Sequence, residues 1–135
     1  MAAGRRLAYP VYWAGPVQDG QRARFEALPR APTFKQVVSV GYGQCAGGAG
    51  PNCELYLTTF QLASPQTVHR SGAVQFADGD AGTIEYLGYI GVFDSTLAYL
   101  NTSTQRVQLM VAGRRSKAWI TRFAETQVGA TSQVA

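Results

Sequence analysis

The sequence predicts an α+β domain: a mostly antiparallel sheet of about five to seven strands with a C-terminal helix packed on one face. Three observations carry that reading. Apolar residues recur at every second position in short runs, the runs are bounded by Gly, Pro and Asp-Gly, and one segment near the C terminus switches to helical spacing. With 135 residues and 46% apolar side chains, the chain can bury a real core as one domain. Its 15% of charged residues, against about a quarter in ordinary domains, argues against intrinsic disorder. The domain is expected over residues 7–128, with 1–6 and 129–135 as flexible termini.

Tyr9–Trp13 (YPVYW) reads as the first strand, and Pro10, which has no amide to donate, suits a strand start or a sheet edge. The stretch from Ala14 to Gln36 contains Pro16, Pro29 and Pro32 and reads mostly as loop. Val37–Tyr42 places Val38, Val40 and Tyr42 on one face, and Glu54–Leu62 is rich in aromatic and β-branched residues. In SPQTVHRSG, Ser64 can cap, Pro65 can take the first helical position and Gly72 can stop, which allows one or two helical turns. Thr83–Leu87, Thr96–Leu100 and Arg106–Val111 read as strands, with Tyr89–Phe93 a further candidate and turns at Asp94-Ser95 and Asn101–Gln105. The helix is SKAWITRFAETQV: Ser116 can accept from first-turn amides, and Trp119, Ile120, Phe123 and Ala124 share a face. Beyond Val128, GATSQVA has no apolar period and reads as a frayed tail.

Cys45 ends one predicted strand and Cys53 begins the next, around a run made mostly of Gly and Ala. Hairpin pairing would bring the two close enough for a disulfide, and closing that loop would stabilise the fold through the entropy of the unfolded chain. Two unpaired thiols are the alternative. A metal or catalytic role has little support, because His69 is the only histidine, the spacing is not C-x-x-C, and a zinc site would be one ligand short without a carboxylate. No cofactor is expected. A disulfide implies an oxidising compartment, so the expected location is extracytoplasmic, either secreted or tethered to a membrane through a removed N-terminal signal. No apolar run reaches the roughly 18 residues of a membrane span, and MAAGRRLAYPVYW lacks the continuous apolar core of a signal peptide.

PVYWAG near the start, a strand ending in GYG-x-C, and a short loop to a second Cys and another strand resemble a group of uncharacterised actinobacterial domains. Many of these are exported or carried on lipoproteins and begin with a PVYWLG-like strand. GVFDSTLAYLNTSTQRVQLMVAG followed by a helix is similar to the group's pattern of a strand, a turn, two more strands and a closing helix. The resemblance spans most of the chain as a pattern, with Ala14 where the group tends to have leucine. It implies an exported compartment and a stapled hairpin, and it brings no assigned activity or catalytic residue.

Several residues invite functional readings. His69 is the group that would titrate near neutral pH, yet no Ser or Cys nucleophile motif surrounds it. Asp78 and Asp80 resemble the opening of a calcium loop, but its twelfth position is Tyr89 instead of glutamate, and a polar turn is the better reading. Glu85 and Asp94, with Asp78 and Asp80, are the carboxylates from which an acid-pair glycosidase would draw. Arg114, Arg115, Lys117 and Arg122 gather around the helix start beside Trp119. Cations there oppose the helix dipole, and a bound anion would explain them; the alternative is a solvated basic face. Tyr12, Trp13, Tyr42, Tyr56, Tyr86, Tyr89 and Tyr99 offer either a ring-lined binding face or half-buried sheet packing.

The expectation is a noncatalytic extracytoplasmic binding or structural module whose partner is a cell-envelope polymer or another protein. Nucleic acid is not favoured despite the net charge of +4. A polyanion-binding module using the basic cluster and a small hydrolase using His69 or an acid pair are the alternatives.

Overall fold

The computed structural model describes residues 5–28, 37–45, 52–62, 64–66 and 73–134. In chain order the elements are β1 (Arg5–Trp13), β2 (Val17–Gln18), β3 (Gln21–Leu28), β4 (Val37–Gly43), β5 (Cys53–Gln61), β6 (Ala73–Gln75), β7 (Ala81–Ile90), β8 (Ser95–Asn101), β9 (Gln105–Ala112), α1 (Lys117–Gln127) and β10 (Gly129–Val134). One eight-stranded sheet runs in the order β2-β3-β4-β5-β9-β8-β7-β6, while β1 and β10 form a separate two-stranded ribbon. All pairs are antiparallel. Two meanders, β2 to β5 and β6 to β9, therefore meet at the last strand of each. Among the described residues no helix is long and apolar enough to cross a membrane.

The mostly antiparallel sheet with a C-terminal helix is as expected, but the sheet has eight strands, more than the five to seven anticipated. The added strands have identifiable causes. Within the stretch read as loop, Asp19 and Gly20 take positive φ of 49° and 77° and close a two-residue hairpin in which Val17 faces Arg22 and Gln18 faces Gln21. That backbone matches the twist of paired strands, and glycine adopts it without a Cβ penalty. Short β6 adds an edge beside β7. Strand β7 runs on through Ile90 with a bulge between Tyr86 and Gly88, and Gly91–Phe93 is a 3-10 turn instead of the end of a further strand. Residues 129–134 form β10 where a frayed tail was expected, because Gly129, Ala130 and Thr131 pair with Trp13, Tyr12 and Val11. Ser64–Gln66 are not helical, and the rest of that expected turn, including His69, lies outside the described residues.

Period-two alternation builds the core. Across β4, β5, β9 and β8 the register aligns Tyr42, Leu55, Val111 and Thr96; then Val40, Leu57, Leu109 and Ala98; then Val38, Thr59, Val107 and Leu100. All twelve are buried. Over this face lie the β1–β10 ribbon and α1. Ser116 Oγ accepts from the Trp119 amide at 3.1 Å and so starts the helix, whose Ile120 and Ala124 are fully buried in the same core.

Because β1 pairs only with β10, its other edge would leave backbone groups without partners. Side chains from the sheet below supply them. Thr59 Oγ1 accepts from the Tyr12 amide at 3.0 Å, the Tyr42 hydroxyl accepts from the Ala14 amide at 2.9 Å, and Gln105 Nε2 donates to the Pro10 carbonyl. Buried Thr59 and Gln105 thus hold the ribbon in place. Pro10, at an edge, deprives no ladder of a donor.

Candidate functional site

A cleft of about 290 Å³ opens between α1, the Asp19 turn, the start of β5 and the end of β9. Buried Leu55 and Val111 lie at its base. Its helix wall carries Trp119, Arg122 and Phe123, with Arg115 just before the helix; Asp19 and Glu54 also line it. Gln18 and Gln127 contribute too, joined by a side-chain hydrogen bond of 3.4 Å.

Helical spacing makes the ring wall. Trp119 and Phe123 are four residues apart and stack with centroids 5.1 Å apart and planes 8° from parallel. The Arg115 guanidinium lies 4.6 Å from the centre of the Trp119 ring, a cation–π contact. Arg115 is also fixed at its backbone. Its amide donates to Thr96 Oγ1 at 2.8 Å and its carbonyl accepts from the Tyr86 hydroxyl at 2.6 Å, so β8 and β7 clamp it from both sides. Its Nε is buried and has no hydrogen-bond partner among the described residues.

The four basic residues expected to act together separate in the fold. Arg115 and Arg122 share the cleft. Arg114 instead stacks its guanidinium 3.9 Å from the centre of the Tyr89 ring, whose hydroxyl donates to Asp94. Lys117, the first residue of α1, is exposed and does not line the cleft. Asp19 and Glu54 were not singled out in the sequence, because they reach the cleft only through tertiary packing. Trp119 and Phe123 were read as core positions, yet each is half-buried and shows a ring to the cleft.

Asp78 and Asp80 serve the fold. Asp80 accepts from the Tyr12 hydroxyl at 2.8 Å, and Asp78 accepts from the Ala130 amide at 2.8 Å and from the Asp80 amide at 3.0 Å. The turn before β7 therefore ties down the β1–β10 ribbon. Glu85 pairs with Arg106 at 3.4 Å between exposed side chains. Among the described residues no three His, Cys, Asp or Glu side chains gather as a metal site.

Cys45 and Cys53 form a disulfide, their Cα atoms 4.7 Å apart. It lies on the opposite face of the sheet, packed with Tyr56 and Met110. Cys45 folds back over Gly41, where a Cβ would meet Cys45 Cβ at 2.8 Å, so glycine is required beneath the bond. A second, larger cavity of about 450 Å³ opens on this side beside Arg24, Glu26, Ser39 and Tyr56. Phe25 also lines it, and Ser39 and Thr58 at the sheet satisfy each other at 3.0 Å.

Compared with models of known protein families, with curated proteins and with solved structures, the chain matches none.

Proposed function

We propose that the protein is a noncatalytic binding module of an extracytoplasmic compartment, and that its cleft beside α1 takes a small ligand bearing an anionic group on an apolar or aromatic body. Arg115 is the observation that carries this reading. Its guanidinium rests on an aromatic ring of the cleft wall and its backbone is held at both polar groups, so the cation is positioned in advance. Arg115 lines the cleft, and a carboxylate or phosphate oxygen there would accept charge-assisted hydrogen bonds from its guanidinium N–H groups. Arg122 adds a second cation, while Trp119 and Phe123 offer a flat surface for the ligand body. The disulfide supports an oxidising compartment. The end of a cell-envelope polymer or of another protein chain would present such a ligand.

Titration with 3-phenylpropionate, followed by calorimetry, tests the reading. Arg115→Ala should weaken binding by about tenfold or more, the worth of a hydrogen bond to a charged group, while Arg114→Ala leaves it unchanged. Equal affinity of wild type and Arg115→Ala would reject it.

A further inference from the structure

The cleft holds charges of both signs. Arg115 and Arg122 line it, and so do Asp19 and Glu54. Yet among the described residues no ion pair joins either guanidinium to either carboxylate. Opposite charges that line one small cleft without neutralising each other leave room for a ligand that carries both. Resting on the reading that this cleft is the ligand site, we infer that its ligand is a compact zwitterion, an α-amino acid or a short peptide with an apolar or aromatic side chain. The carboxylate accepts from Arg115 and Arg122, the ammonium donates to Asp19 or Glu54, and the side chain lies against Trp119 and Phe123. At about 290 Å³, the cleft sits at the lower end of the roughly 300–1,000 Å³ of ligand pockets, which suits a ligand short enough to span both charged groups. A polyanion would set like charge against Asp19 and Glu54, so the same residues select against it.

Four probes separate the chemistry: L-phenylalanine, the dipeptide Ala-Phe, 3-phenylpropionate without the ammonium, and phenethylamine without the carboxylate. With wild-type protein, L-phenylalanine or Ala-Phe should bind about tenfold or more tighter than either truncated probe, the stronger of the two showing whether amino acid or peptide is preferred. In an Asp19→Asn/Glu54→Gln variant that advantage over 3-phenylpropionate should fall to about twofold or less, since Asn also suits the turn at position 19. Equal binding of 3-phenylpropionate and the zwitterions by wild type would overturn the zwitterion inference while leaving the anion site standing. Tighter binding of inorganic polyphosphate than of any zwitterion would overturn it as well, and no binding of any probe would overturn both.

Discussion

Above about pH 10 the protein should lose stability steeply, and by about pH 11.5 roughly 4 kcal/mol should be gone. Two buried hydroxyls set this expectation. Burial pushes Tyr42 up to about 12, although the Ala14 amide that donates to its oxygen pulls the other way. Tyr12 is raised further, first by burial, then by its hydrogen bond to Asp80 and by that carboxylate's charge. In the unfolded chain both titrate near pH 10. The sign follows: below that pH both states hold the protons and the contribution is fully present, while above it only the unfolded chain releases them. Each tyrosine then removes about 1.4 kcal/mol per pH unit until its folded-state value is reached. Against a typical total of about 5–15 kcal/mol this is a large fraction. Thermal unfolding followed by circular dichroism from pH 8 to 12 reads it directly, and Tyr12→Phe should roughly halve the slope. A melting temperature that stays level through this range would contradict the placement of both hydroxyls.

Removing the disulfide should lower stability by about 2–3 kcal/mol, and melting by roughly 5–15 °C. The bond closes a short loop between Cys45 and Cys53, and the loss comes from the freedom returned to the unfolded chain. The fold should nevertheless persist, because the disulfide packs with Tyr56 and Met110 on the face of the sheet away from the main core. A Cys45→Ser/Cys53→Ser variant should therefore show faster amide exchange at Gly43 and Glu54 and near-wild-type protection at Leu57 and Leu109. Unchanged melting would mean the bond contributes nothing, and a chain unfolded at room temperature would mean the core depends on it.

Much of the frame is legible in the sequence, because local period and pairing chemistry agree there. Val38, Val40 and Tyr42 alternate onto one face and are buried, and Ser116 caps the helix whose Ile120 and Ala124 enter the core. Cys45 and Cys53 pair across a hairpin as their spacing suggests. Strand β10 is not legible, since GATSQV has no apolar alternation and becomes a strand by pairing with β1 at the other end of the chain. The β2–β3 hairpin carried its signal in Asp19-Gly20, with Ala23 and Phe25 alternating against Arg22, Arg24 and Glu26, but the flanking prolines outweighed it. The cleft is half legible. Arg115 and Arg122 stand out as basic residues beside an aromatic helix face, whereas Asp19 and Glu54 come from a turn and a strand end that only the folded sheet carries to the same place.

The most direct test is to map where a ligand touches the protein. In a two-dimensional proton–nitrogen NMR titration with L-phenylalanine, shifts should concentrate on the Trp119 indole N–H, the amides of Arg115 to Phe123, and those of Asp19 and Gly20. Shifts confined to Gly41, Gln44 and Tyr56 on the opposite face of the sheet would show that the ligand site lies elsewhere and that the cleft beside α1 is not the one that binds.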